Sequence, residues 1–380
     1  MVCIWTKKTK WKAWLLRIII DPFLGIQDIL HKKIKAVGDP DKRFNEDALR
    51  IIRAIRIANV LNQKLKECPK ETKNKKDKSL HLFDFDKETR SSLRKNHDLI
   101  KNIAKERIKD ETTKAFTHGN PFGFIALLDE AKLLPIIFPA LSETKNREQP
   151  IRYHPFDIYT HTLLSVYELQ KINTDPLVRF AMLYHDVGKV EQFEAYKDGL
   201  SKEEIRAIIA WPLNHRKSSP ELAKKDFKML WFSSKDIETI ARYIAHHHSP
   251  EEMIYAKKEN TEKKVRKFLS ESGYERACNI MDICIADRLG QYNPLQNGSD
   301  ISDVYEIKKI LTKLHKKEWQ FTMKQLAIDG NDIMKHFKIP ASPLIGKLLE
   351  KAMQRILDER GANDKTAIFT YLKPMIKNMK

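Results

Sequence analysis

Residues 180–189 read Phe180-Ala181-Met182-Leu183-Tyr184-His185-Asp186-Val187-Gly188-Lys189. An apolar run delivers an imidazole and a carboxylate side by side and then stops at a glycine. Neighbouring residues on a helix point about 100° apart, so this pair brackets an ion at a helix end rather than sharing one face. Gly188 keeps the backbone thin at that point. Working outward, His161 lies in Tyr159-Thr160-His161-Thr162-Leu163-Leu164, and His215 in Asn214-His215-Arg216-Lys217. His246 and His247 close the run Ile240-Ala241-Arg242-Tyr243-Ile244-Ala245, and Asp287 follows Ile283-Cys284-Ile285-Ala286. The flanks repeat apolar residues at helical spacing. The spacing therefore predicts a metal site assembled from several helices. A lone helical histidine is usually a surface or satisfied core residue, and it is the order of the whole set that argues otherwise.

Imidazole with carboxylate suits first-row divalent ions (Mn, Ni, Co, Fe or Zn) better than Ca or Mg. Two such ions polarise a phosphoryl oxygen and supply a hydroxide nucleophile, and Asp186 has an oxygen for each. The order His161, His185-Asp186, His215, His246-His247, Asp287 resembles the HD phosphohydrolase superfamily in its His-Asp-x-Gly-Lys form. That resemblance implies metal-dependent hydrolysis of a 2′,3′-cyclic phosphate or a 2′-phosphate at a nucleotide or RNA end. Asp186 and Lys189 are then the catalytic candidates, with Lys189 and Arg216 placed to hold the phosphate.

Around this centre the pattern is helical almost throughout, with helices expected at 157–171, 176–189, 201–211, 218–231, 235–247 and 261–289. Upstream, Leu49, Ile52, Ile55, Ile57, Val60 and Leu61 recur at helical spacing. A Lys-rich stretch from Glu67 to Ser79 reads as a solvated loop, and helical periodicity resumes from Lys87 to about Leu133. The β-branched run Ile18-Ile19-Ile20, halted by Asp21-Pro22, reads as a strand and turn. Residues 142–152 form the best domain boundary, and 293–300 make a second polar break. The expected fold is all-α, elongated and multi-domain, with a small β remnant at the N-terminus. Only 12 glycines argue against a loop-dominated or repeat-turn fold. There is no Gly-rich phosphate loop.

Lys and Arg number 70 against 51 Asp and Glu, a net charge of +19. Such an excess favours a polyanionic partner, because neutralising phosphates releases condensed counterions. Cys3, Cys68, Cys278 and Cys284 form no C-x-x-C pair, which points to reduced thiols in a cytoplasmic protein. The apolar run at Ala13-Trp14-Leu15-Leu16 is too short for a membrane span, and no membrane partner is expected.

Three further stretches carry a resemblance over most of the chain. Ile19–Asp28 and Ile34–Arg53, with Arg43-Phe44-Asn45-Glu46-Asp47-Ala48-Leu49-Arg50 at their centre, resemble the middle motifs of bacterial class II CCA-adding tRNA nucleotidyltransferases and poly(A) polymerases. Glu106-Arg107-Ile108 with Glu111, and Ile137-Phe138-Pro139, look like that family's RNA-binding neck. Ile328–Met334 and Pro343–Gly346 resemble its C-terminal helices. The resemblance implies a head remnant at 1–40, a neck at 41–145, an HD domain at 146–298 and a helical tail at 299–380. It also implies that Asp47 and Arg50 pair with the edge of CTP or ATP, supported by Glu46 and Arg53; an acid accepts from the exocyclic amine while an arginine donates to ring acceptors. Positions i and i+3 on a helix can converge in this way.

One departure stands out. The family's head, with its Gly-Gly-x-Val-Arg-Asp loop and paired metal-binding carboxylates, has no counterpart ahead of Asp21. Leu24 stands where the family has the first glycine of Asp-Pro-x-Gly-Gly. Asp84-Phe85-Asp86 reads as a helix N-terminus rather than a catalytic Asp-x-Asp. The expectation is a truncated or split form that binds tRNA and takes CTP/ATP or a cyclic nucleotide. Nucleotidyl transfer is not expected from this chain alone, and Mg with CTP or ATP enters only when a separately encoded head domain is supplied. Two other readings stay open: a non-catalytic tRNA-binding subunit that complements such a head, and a damaged copy of the enzyme.

Overall fold

The computed structural model describes residues 20–67, 82–147, 156–190, 215–255, 258–291, 301–318, 326–359 and 363–377. The chain forms two compact units, 1–246 with 286–299 and 247–285 with 300–380.

In the first unit the Asp21 carboxylate accepts from Gly25 N at 2.7 Å and Ile26 N at 2.9 Å. This opens α1 (Gly25–Leu30). Ile18 and Ile19 of the expected strand lie outside the described residues. Leu24 adopts φ 59, a left-handed conformation that costs a residue with a Cβ about 1–2 kcal/mol. After β1 (Lys33–Ile34), Asp39 caps α2 (Pro40–Glu46), whose Pro40 sits where its missing N–H is harmless. Next come α3 (Leu49–Glu67) and β2 (Asp84–Phe85), which pairs in parallel with β1, Lys33 opposite Asp84. Asp84 and Phe85 therefore belong to a strand, a correction to the helix-terminus reading. Only Asp86 caps α4 (Lys87–Lys95), accepting from Thr89 N at 3.3 Å.

A 3₁₀ turn at His97–Asn102 leads into α5 (Lys105–His118), α6 (Pro121–Glu130), α7 (Leu134–Ile137) and α8 (Pro139–Ser142). Then follow α9 (Ile158–Ile172), α10 (Pro176–Tyr184), α11 (His215–Met229) and α12 (Ser234–His246). Phe116, Phe138, Phe180, Tyr184 and Phe227 are fully buried together, with the Phe116 and Phe180 rings stacked at 4.1 Å. This aromatic core fixes α10, every residue of which from Val178 to Tyr184 is buried. The expected helix 201–211, the polar run 68–79, the second polar break 293–300 and residues 148–152 lie outside the described residues.

The second unit contains α13 (Ser249–Ile254), α14 (Lys258–Ser272) and most of α15 (Tyr274–Gly290), whose last turn from Ala286 belongs to the first unit. The single helix expected over 261–289 is broken in two. Gly273 takes φ 75, the left-handed conformation that ends a helix and that glycine adopts without strain. Next are α16 (Ser302–Glu318), packed on α13 and α14, then α17 (Gly330–Phe337), α18 (Pro343–Glu359) and α19 (Lys365–Lys377). The last three share a core of Ile333, Leu348, Ala352 and Leu372. Among the described residues the fold is all-α apart from the two short strands. Among the described residues no helix is long and apolar enough to cross a membrane.

Candidate metal centre

His161 sits in the first turn of α9, whose start is set by the Asp157 side chain accepting from Thr160 N at 2.9 Å. His185 caps the C-terminus of α10, and its ring Nδ1 lies 2.8 Å from Met182 O. That contact turns Nε2 toward the centre and makes Nδ1 an N–H donor to the carbonyl. Asp287 arrives on the last turn of α15. Gly290, one turn further, lets that helix approach α9, since a Cβ there would stand 2.8 Å from Ser165 N.

These elements bring His161, His185, Asp186 and Asp287 together, all four buried. His161 Nε2 lies 3.3 Å from His185 Nε2, 3.5 Å from Asp186 Oδ2 and 3.0 Å from Asp287 Oδ1. His185 Nε2 lies 3.3 Å from Asp186 Oδ2 and 3.4 Å from Asp287 Oδ1. Ligands each about 2.1 Å from one tetrahedral ion stand about 3.4 Å from one another. The spacing of this donor set is that of atoms around a common cation. Two imidazoles with two carboxylates suit a first-row divalent ion.

Without an ion, these groups neutralise one another. Burial by itself disfavours a charged imidazole, but Asp186 and Asp287 outweigh it and raise His185 to about 10 and His161 above its ordinary value. Burial would likewise raise both carboxyls, yet the adjacent imidazoles, with Lys189 beside Asp186, hold them well below the usual carboxylate range.

Asp186 presents both oxygens, as a bridging carboxylate must. Oδ2 faces His161 and His185, while Oδ1 lies 3.4 Å from Nε2 of His215, the first residue of α11. Lys189 Nζ donates to Asp186 Oδ2 at 2.5 Å, so its cation is engaged within the cluster. Arg216 follows His215 and is half-buried. Gly188 is constrained as its place in the motif suggests: a Cβ there would stand 2.6 Å from Ser219 N. Its own N–H donates to Ser219 Oγ at 2.9 Å. Sequence reasoning missed Ser219; its spacing of four from His215 was the available signal.

His246, expected as a ligand, ends α12 exposed to solvent and is not gathered into the cluster. The next residue, His247, is buried, its ring 3.8 Å from that of His248.

The expected nucleotide-pairing residues are arranged differently from the sequence expectation. Asp47 lies in the break between α2 and α3, where Oδ1 accepts from Leu49 N at 3.2 Å. Its Oδ2 accepts from Arg107 at 3.0 Å. Arg50 donates to Glu46 at 2.7 Å and to Arg43 O at 2.9 Å. Arg53 donates to Glu111 Oε1 at 3.3 Å, and Arg56 to Glu111 Oε2 at 2.5 Å. Asp47 and Arg50 thus pair with other residues rather than converging by helical spacing, because the helix starts two residues after Asp47.

Two sequence families match the chain. Residues 82–144 match the family described as "Probable RNA and SrmB- binding site of polymerase A", and residues 200–372 match tRNA nucleotidyltransferase domain 2. A stretch of 172 residues, 45% of the chain, is 30% identical to a multifunctional CCA protein of Psychromonas ingrahamii and covers 38% of it. A stretch of 96 residues, 25% of the chain, is 36% identical to the CCA-adding enzyme of Lactobacillus helveticus and covers 19% of it. The chain thus matches less than two fifths of the length of these curated relatives. The fold is similar to that of the Bacillus stearothermophilus CCA-adding enzyme in complex with CTP, with a TM-score of 0.55 at 18% identity, covering 95% of this chain and 69% of that one.

Proposed function

We propose that the chain, whose residues 82–144 and 200–372 match polymerase A and tRNA nucleotidyltransferase families, is a member of the family of CCA-adding tRNA nucleotidyltransferases and poly(A) polymerases, a tRNA-binding protein with a metal-dependent HD phosphohydrolase site. The single observation behind the second part is the convergence of His161, His185, Asp186 and Asp287, with five interatomic distances between 3.0 and 3.5 Å. The substrate class proposed is a 2′,3′-cyclic phosphate, on a nucleotide or an RNA end. Water adds to phosphorus, one P–O bond breaks, and a phosphomonoester and a free hydroxyl result. A bound divalent ion would supply Lewis acidity and a hydroxide near neutral pH. The protein's own contributions are specific. Asp186 faces the cluster with one oxygen and His215 with the other. Lys189 and Arg216 place positive charge beside the site, where an anionic phosphate would sit.

The test is to measure metal content and cyclic-nucleotide hydrolysis with added Mn, Ni or Co. Turnover that needs none of these ions, or that survives Asp186→Ala, would overturn the assignment. For tRNA, the supporting observations are the net charge of +19 and the match of 82–144 to an RNA-binding family. Affinity for tRNA should fall steeply with salt, by counterion release. Salt-independent binding, or equal binding of single-stranded oligomers, would count against it. Glu46, Asp47, Arg50 and Arg53 remain the proposed contacts to CTP or ATP. A second reading, binding of tRNA with no chemistry at the cluster, is favoured by that same RNA-binding match, and the metal assay separates the two.

A further inference from the structure

Helix α11 carries three buried polar residues, His215, Ser219 and Asp226. Their spacings of four and seven put them within an arc of about 40° on the helix. One stripe of α11 is therefore polar although it faces the core. Each member meets a different residue of the stretch 184–188. His215 Nε2 lies 3.4 Å from Asp186 Oδ1, Ser219 Oγ accepts from Gly188 N at 2.9 Å, and Asp226 Oδ2 accepts from Tyr184 OH at 2.8 Å. The same Asp226 oxygen accepts from Ala140 N, in the first turn of α8, at 3.0 Å. A buried carboxylate is costly unless donors compensate it, and here two donors do so.

We propose that Asp226 is a positioning residue for the metal centre. Through Tyr184 it fixes the end of α10, and with it the directions of His185 and Asp186, which occupy the next two positions. Tyr184 is fully buried in the aromatic core, so its hydroxyl is the polar point at which that helix end is held from below. A metal site works only when its ligands are held within about half an ångström of the productive geometry. Ser219 holds the far side of the pair through Gly188, and Asp226 the near side through Tyr184. The inference rests on the metal-centre reading above, and it assigns a task to a buried acid that the hydrolytic chemistry does not itself use.

The experiment titrates Mn²⁺ alone into the purified chain by calorimetry and records the unfolding midpoint of each protein in metal-free buffer. Tyr184→Phe keeps the ring and removes one hydrogen bond; its Mn²⁺ affinity is expected to fall about tenfold, as when a supporting partner behind a ligand is lost. Asp226→Asn retains an oxygen able to accept from both donors, and its affinity should stay within about threefold of the parent. Asp226→Ala should lose at least as much affinity as Tyr184→Phe; if it fails to fold, the other two variants decide. Wild-type affinity in a Tyr184→Phe protein whose metal-free midpoint has dropped would make Asp226 a structural brace and overturn the proposal. Absence of Mn²⁺ uptake by the parent chain would instead overturn the metal-centre reading, and the positioning role would fall with it.

Discussion

Two buried carboxylate clusters in the first unit solve the same charge problem with different cations. At the proposed metal centre, Asp186 and Asp287 are matched mainly by the imidazoles of His161 and His185, all four residues buried. On the α3–α5 pair, Glu111 is only 4% exposed and is matched by Arg53 and Arg56, which are 40% and 19% exposed. An imidazole can give up its proton and offer a lone pair to an ion; a guanidinium keeps its charge and has no lone pair to give. The first cluster can therefore exchange protons for a metal. The second is a permanent clamp between helices. Buried charge alone does not mark a site, and the identity of the cation separates a reactive centre from a brace.

The largest expected effect is at the centre. Asp186→Ala removes the carboxylate that faces both His185 and His215, and should lower metal content and cyclic-nucleotide turnover by more than about 100-fold. Circular dichroism should show unchanged helical content. Retained metal would mean that the imidazoles, not Asp186, define the site.

Metal should also stabilise the fold. Mn²⁺ at about 100 times its dissociation constant is expected to add about 2.7 kcal/mol to unfolding, read as a rise in the thermal midpoint. Asp186→Ala should erase that rise and Glu111→Ala should keep it. Were Glu111→Ala to erase it too, the two clusters would not be independent.

Glu111→Ala itself should cost about 1–2 kcal/mol by urea unfolding, below the usual figure for a broken buried pair because both arginines can turn to water. Its Mn²⁺ affinity should match that of the parent. A change in affinity without a change in stability would reverse the roles assigned above.

The smallest effect concerns a third, half-buried carboxylate. Hydrogen bonds from Lys95, Ser92 and Asn96 lower Asp41 to about 2. A depressed carboxyl contributes stability that is present above its ordinary value, about 4, and is lost as pH falls toward 2. Asp41→Asn should flatten the acid limb of the stability–pH curve between about 4 and 2, by lowering stability at neutral pH toward the parent's value in acid. A parent curve that is already flat over that range would show that the contact of α2 with α4 is not held by charge.

Much of this was legible beforehand. Helical spacing around His161 and Asp287 and the apolar run before His185 follow from local rules, and the structure agrees with each; the glycine at 188 is required by the approach of Ser219, which only the tertiary structure shows. What was misread has more than one cause. The strand character of Asp84-Phe85 comes from pairing with Lys33-Ile34, some fifty residues away in the chain. The break at Gly273 depends on a backbone angle that a helical apolar pattern does not report. Arg50 and Asp47 were expected to converge by helical spacing, but α3 starts at Leu49 and each found a different partner.

The amino-acid sequence by itself determined that the chain is helical and that its histidines and aspartates recur in an order suited to divalent metal. Both are properties of neighbours within a few residues, where backbone hydrogen bonds and side-chain periodicity act. Tertiary structure alone decided which of those groups turn inward. It buried His161 and Asp287 against His185 while leaving His246 in water, and it placed Asp226 beneath Tyr184. The reason is geometric. A helix fixes the angle between its own side chains but not which other helix will face them, and a ligand set exists only where several helices meet.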